Sequence, residues 1–334
     1  MEYKQIIADL KNQIYHPVYL LMGHEPYYID QIADYISQNV LKTEEEREFN
    51  MAVLYGRDTD EETIISYAKS YSMMANYQLV IVKEAQNLKK IEKLQAYVEN
   101  PLKSTILVLC YKYGTVDGRK SFAKTVKKNG VLFESKVVYD DKMPDWVSNF
   151  VKTKGFAIKP DAAALLAENI GNNLSRMANE VNKLTIVLPQ GATITMDEIE
   201  KNIGISKDYN VFELQNALCE RDILKANKII DYFSHNPREH PLVMVLPVLY
   251  SFFSKILIYQ SLKNKNDRRA VIAALGVNPF FLNRYINGAK FFPLKKLPSI
   301  FSYLREADEK AKGIGMPTKN DGGILKELIF KIMH

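Results

Sequence analysis

"YLLMGHEPYYIDQIAD", residues 19–34, decides how the rest of the chain is read. An apolar run ends at Gly23, a short polar turn follows, and the next residues read as a helix over about 26–40. Strand, glycine turn and helix is the order in which a P-loop protein presents backbone N–H groups to phosphate. Working outward, four more apolar runs lie at 51–56, 78–82, 104–111 and 131–135. Helical stretches near 60–74, 86–99 and 117–129 fill the gaps between them. Continuous apolar runs, as opposed to strict alternation, suit strands covered on both faces. Five such strands with helical crossovers predict an open, mostly parallel sheet in an α/β layer sandwich.

The chemistry of a phosphate loop is missing from this frame. A working loop reads G-x-x-x-x-G-K-[ST]: glycines let the backbone close round phosphate, lysine neutralises charge, and Ser or Thr holds Mg²⁺. Counted from Gly23, the second glycine position is Tyr28, the lysine position Ile29 and the Ser/Thr position Asp30. Tyr28 crowds the cradle, Ile29 carries no charge, and Asp30 repels phosphate. The third strand, "LVIVKEAQNL", places Lys83 where a metal-binding Asp belongs, followed by Glu84. A lysine cannot coordinate the metal. Two independent lesions argue against nucleotide hydrolysis and for a lapsed ATPase frame.

At "YDDKMPDWVSNF" the character changes and strands mostly disappear. A helix near 144–154 stops at Gly155, and a second starts at Pro160, a favoured first helical residue, and ends at Gly171. Asn172 or Asn173 caps a third, and Thr195 with Glu198 has capping-box spacing for a fourth before Gly204. Longer helices fill the rest, among them "PLVMVLPVLYSFFSKILIYQSL", apolar nearly all round and expected to bend or break at Pro247. Three segments follow: an α/β domain (1–139), a small helical domain (140–206) and a helical domain (207–334).

Lys+Arg against Asp+Glu is 18 to 18 in the first segment, 7 to 9 in the second and 20 to 12 in the third. The positive excess therefore sits in the last third, as it would if a polyanion lay nearby or if that surface were simply lysine-rich. Two cysteines, Cys110 in an apolar run and Cys219 in a helical one, suit buried thiols in a reducing cytoplasm. The start of the chain shows no secretion signal, so a cytoplasmic protein with no membrane partner is expected.

The order of several stretches carries a resemblance. "VYLLMGHEPYYIDQIAD", "SMMANYQLVIVKEAQNL", "STILVLCYKYGTVDGRKSFAKTVKKNG", "MPDWVSNFVKTKGFAI", "GNNLSRMANEVNKL" and "LGVNPFFLNRYINGAKFF" together resemble the delta subunit family of the bacterial DNA polymerase III clamp loader. The resemblance implies an AAA+-like (P-loop NTPase-like) α/β module with a parallel five-stranded sheet, a small helical lid and a C-terminal all-α collar for oligomerisation. It implies a subunit without cofactor or catalysis of its own, acting inside the DNA polymerase III holoenzyme. Such a subunit binds the ring-shaped sliding clamp (the beta subunit) and opens one interface. Its further partners are the ATPase subunits (gamma/tau), delta-prime and primer-template DNA. Ser175-Arg176 does not complete the arginine-finger motif of the family's ATPases, because Met177 follows.

The family holds its clamp with two adjacent hydrophobic side chains, which fall here on Met73 and Met74. If the helix over 60–74 is continuous, Ile64, Ala68 and Tyr71 form its core stripe and Met73 lies about 180° away. An exposed methionine pair suits insertion into an irregular pocket, and Ser72, Asn76 and Tyr77 are the neighbours expected to touch the clamp. The alternative is that the helix ends earlier and both methionines drop into the core. "KNKNDRR" offers Lys263, Lys265, Arg268 and Arg269 to DNA phosphates, or forms a solvated loop between helices. Histidines and cysteines show no metal spacing. Glu44, Glu45 and Glu46, and Asp140 with Asp141, read as solvated loop acids, and Trp146 as a core anchor. A divergent P-loop ATPase and a helical DNA-binding scaffold without a clamp partner remain the competing functional readings.

Overall fold

A computed structural model of the chain describes residues 1–206, 208–314 and 321–334; Lys207, the expected first residue of the third segment, lies outside them. It divides into two units, Met1–Val138 and Tyr139–His334. The first runs α1 (Tyr3–Lys11), β1 (Val18–Gly23), α2 (Pro26–Asn39), α3 (Glu44–Asn50), β2 (Met51–Tyr55), α4 (Glu61–Lys69) and β3 (Gln78–Lys83). Two 3₁₀ turns, Ala85–Asn87 and Ile91–Leu94, lead to α5 (Gln95–Glu99), β4 (Thr105–Lys112), α6 (Ser121–Asn129) and β5 (Val131–Ser135).

The five strands form one parallel sheet in the order β2-β3-β4-β1-β5. Burial explains which runs are continuous: β1 is buried throughout, while β3 and β4 are buried over all but their last residues. The edge strands are covered less completely. Side chains alternate between faces. Val18, Leu20, Met22, Val80, Val82, Leu107 and Leu109 therefore pack with Ile64, Ala68, Leu94 and Phe122. Tyr19, Leu21, Leu79, Ile81, Ile106, Val108 and Cys110 pack on the other face with Ile6, Leu10, Ile29, Ile32 and Ile36.

Several local expectations need correction. The helix expected over 60–74 stops at Lys69, because the Ala68 carbonyl accepts from Thr105 Oγ1 at 2.9 Å and Tyr97 Oη at 3.2 Å. These buried hydroxyls satisfy a helix-terminal carbonyl, so no further turn is needed to do so. The stretch 86–99 is two 3₁₀ turns and a short helix. Glu44, Glu45 and Glu46 form the first turn of α3, capped by Thr43 Oγ1, where their charge favours the helix N-terminus.

In the second unit, helices Met143–Thr153, Pro160–Ile170, Leu174–Val187 and Met196–Ile203 come first. Asn173 caps the third and Thr195 the fourth, and two-residue strands at Ala157–Ile158 and Thr193–Ile194 pair in parallel. Trp146 is half-buried and stacks on Phe150 at 5.0 Å; the buried positions of its helix are Met143, Pro144, Val147 and Val151. Asp140, which is exposed, and Asp141 begin a 3₁₀ turn and border an open pocket of about 280 Å³ with Glu168, Lys255 and Tyr285.

From Asn210 onward a separate apolar core gathers Leu214 to Met333. Its central helix, Leu242–Ser261, continues through Pro247 without a break. That helix is long and apolar enough to cross a membrane, yet Leu242, Val245, Leu246, Leu249, Phe252, Phe253 and Ile256 are buried in this core.

Candidate functional site

The turn after β1 is closed by the protein itself. Gly23 has φ +137°, and a Cβ there would lie 2.0 Å from the Ser135 carbonyl oxygen at the end of β5. The glycine is thus required by sheet packing. Its N–H donates to Gly114 O at 2.9 Å. Glu25 is buried, and its carboxylate accepts the N–H of Tyr27 at 2.9 Å, capping α2. A helix N-terminus of this kind is where a phosphate would sit, so a carboxylate stands in the anion's place. Burial pushes the Glu25 carboxyl above its usual range; the Tyr27 N–H opposes this and Asp30 adds to it.

The other loop positions are equally committed. Ile29 is wholly buried in the sheet core, so the position of the missing lysine faces away from solvent. Tyr28 is half-buried, 4.6 Å from the Tyr3 ring and 5.2 Å from Tyr27. Asp30 pairs with Lys112 Nζ, at the end of β4, at 2.6 Å. Burial alone would lower the Lys112 ammonium, but the Asp30 carboxylate raises it overall. Asp34 is pushed up by burial and by Asp30, against the pull of Lys83 and Lys112. Lys83 therefore belongs to a balanced cluster of two acids and two lysines. Glu84, at φ +52°, accepts from Asn87 Nδ2 at 3.1 Å.

The segment between α4 and β3 shows the opposite arrangement. Met73 is 61% exposed, Met74 101% and Tyr71 85%. Tyr71, expected on a core stripe, is among the most exposed aromatic side chains described, because the helix has ended two residues before it. Met73 and Met74 lie on a loop, so their orientation does not come from helical phase. Met74 has φ +58°, a left-handed backbone rare for side chains of its kind.

The loop is fixed from below. Ser72 Oγ donates to Ala75 O at 2.8 Å, and Tyr77 is half-buried with its ring edge-on to Tyr15 at 5.4 Å. Asn76 is exposed. Asn50, the last residue of α3, reaches Met73: its Nδ2 donates to Met73 O at 2.9 Å, and its Oδ1 accepts the Met73 N–H. Asn50, Phe49 (62% exposed) and Tyr71 escape a reading based on apolar periodicity. An asparagine ending a helix beside a strand is the one local trace of the Asn50 contact.

In the second unit Lys263 and Lys265 lie in an exposed loop, while Arg268 and Arg269 form the first turn of helix Arg268–Leu275, capped by Asp267. The stretch is therefore half loop, half helix. Lys265 Nζ lies 5.4 Å from the Tyr259 ring. Arg176 is exposed on its helix. Among the described residues, no three His, Cys, Asp or Glu side chains form a group able to hold a metal ion.

A parallel sheet in this strand order, with a glycine turn feeding a helix and a helical C-terminal region, defines an AAA+-like protein with a closed phosphate turn. The family "DNA polymerase III, delta subunit" matches residues 19–136, and the family's C-terminal domain matches residues 208–321. The chain belongs to the DNA polymerase III delta subunit family. It is 28% identical to DNA polymerase III subunit delta of Bacillus subtilis (strain 168) over 332 residues, covering 96% of this chain and 93% of that one. It is 26% identical to the probable delta subunit of Aquifex aeolicus (strain VF5) over 279 residues, covering 79% and 77%. The solved Bacillus subtilis DNA clamp loader delta protein shares its fold, with a TM-score of 0.67, 24% identity and 99% of each chain covered.

Proposed function

We propose that this chain is the clamp-opening subunit of a clamp loader, acting without hydrolysing ATP itself. One observation carries the reading: Tyr71, Met73 and Met74 stand in solvent on a loop whose Ser72 hydroxyl and Met73 backbone groups are bonded within the protein. Large apolar side chains held out in this way are the signature of a partner anchor. Asn76 borders them, and Ser72 and Tyr77 shape the loop that presents them.

Binding alone does not open a ring. A ligand shifts an equilibrium only by its differential affinity for the two states. The anchor must therefore be joined by contacts that favour a distorted clamp interface over a closed one. The partners of this reading are the sliding clamp, the gamma/tau ATPases, delta-prime and primer-template DNA. Residues 140–206 act as a lid and 207–334 as a collar, and the exposed Lys263, Lys265, Arg268 and Arg269 face phosphates.

The inward-turned Glu25 and the Asp30–Lys112 pair support a non-hydrolytic role, since both leave an incoming phosphate facing carboxylates. Mixing the chain with the clamp of the same organism on a sizing column tests the proposal, and a 1:1 complex is expected. Stoichiometric ATP binding by the isolated chain with no clamp complex would favour the divergent-ATPase reading.

A further inference from the structure

We infer that Asn50 is the positioning residue of the methionine anchor: its side-chain amide fixes the 71–76 loop in the shape that presents Met73 and Met74 to a partner. This rests on the clamp-anchor reading above and adds how the anchor is held.

Asn50 is 0% exposed, and the buried amide has three hydrogen bonds. Nδ2 donates to Glu46 O and to Met73 O, both at 2.9 Å, and Oδ1 accepts the Met73 N–H. Both donors are used, one inside α3 and one across to the loop. The pairing with Met73 is two-point: one backbone N–H and one C=O of the same residue face the one side chain that can match both. No other orientation of the amide satisfies these groups, because a flip sets donor against donor and acceptor against acceptor. Among the twenty side chains, aspartate and leucine are close in size and cannot replace it.

Met73 keeps its side chain out because its backbone is held in. With both backbone polar groups of Met73 satisfied at the edge of α3, the side chain is directed away from that contact and is 61% exposed. The next residue turns through φ +58° and projects Met74 into solvent. Ser72 Oγ to Ala75 O closes the turn on its other side. The anchor is thus presented ready-made, and a partner need not order the loop when it binds, which is the source of affinity in a pre-organised site.

The experiment compares the full chain with its Asn50→Leu and Asn50→Asp variants. Three quantities are read: amide hydrogen exchange at Met73 in the free chain, affinity for the cognate sliding clamp, and the same affinity in a Met73→Ala background. Loss of the two-point pairing is expected to speed exchange at Met73 and weaken clamp binding about tenfold. In the Met73→Ala background the added loss should be smaller than in the parent, since only Met74 is then left for Asn50 to present. Equal losses in both backgrounds, or fast exchange with unchanged affinity, overturn the positioning role. Failure of the anchor reading looks different: Met73→Ala with Met74→Ala would then bind the clamp as well as the parent, whatever the exchange at Met73 shows.

Discussion

The turn after β1 and the loop after α4 use the same devices in opposite directions. At the first, Glu25, Asp30 and Lys112 face one another or a helix end, and Ile29 and Tyr28 pack inward. The charged groups at this turn are engaged with one another or with a helix end. At the second, Asn50 and Ser72 also satisfy the backbone from within, yet Tyr71, Met73 and Met74 remain in water. A folded chain hides its polar needs at both places, but leaves apolar surface uncovered at only one of them. The proposed function rests on that uncovered apolar surface, and the motif-like turn is the quieter of the two.

The sharpest way to break the contrast is at the loop. Met73→Ala with Met74→Ala should abolish the clamp complex on a sizing column, with affinity lowered at least ~1000-fold for two anchoring side chains. Because both side chains are already solvated in the free chain, the melting temperature should stay within about 2 °C. A variant that binds normally would place the anchor elsewhere. The complementary change, Gly23→Ala, should leave clamp contacts alone and instead cost about 3 kcal/mol of stability. The added methyl meets the Ser135 carbonyl, 2.0 Å from an ideal Cβ. Urea unfolding measures it, and an unchanged midpoint would mean that the glycine is not kept for packing.

Much of the α/β layer is legible in the amino-acid order because its central strands are buried on both faces, and burial writes itself as unbroken apolar runs such as "YLLM" and "TILVLC". The end of α4 is not legible. Tyr71 lies seven residues after Ile64, which is in phase for one more turn. What stops the helix is hydroxyls from Thr105 and Tyr97, 37 and 29 positions further on. The Asn50 contact is likewise 23 positions from Met73. Periodicity reports a residue's neighbours along the chain, whereas these contacts are made across it. The exposure of the methionines was therefore expected, but from a helical phase that the loop does not have.

Buried charge in the second unit sharpens the contrast by asking whether inward-turned acids are always silent. Glu168 pairs with Arg284 Nη1 at 2.6 Å, and Arg284 Nε donates to Asn216 Oδ1 at 2.8 Å. Burial pushes the Glu168 carboxyl up to about 7 despite Arg284. The folded chain then holds a proton that the unfolded chain releases near pH 4.3 or so. Its contribution is full below that lower value and is lost as pH rises through about 7. The melting temperature should fall by roughly 3 °C over this window, and Glu168→Gln should remove that component. Parallel curves for parent and variant would show that Glu168 keeps its ordinary acidity. Lys112, raised by Asp30, titrates far above this window and should add no slope there.

The smallest effect belongs to the ion pair beside the glycine turn. Asp30 is the more exposed partner, so replacing it by alanine should cost about 1 kcal/mol or less, much of its charge being screened by water. The change is informative for another reason. It releases Lys112, a cation beside a glycine turn, and so restores one of the attractions a phosphate needs. ATP binding should nevertheless stay absent from an equilibrium titration of Asp30→Ala. Glu25 still occupies the N-terminus of α2, and Ile29 still lies in the core where a second cation would have to stand. Asp30 acts on Glu25 only as a nearby charge, so removing it leaves both of these blocks in place. Measurable ATP affinity in this variant would mean that a single ion pair had been holding a nucleotide site shut, and that the turn and the loop differ less than their side chains suggest.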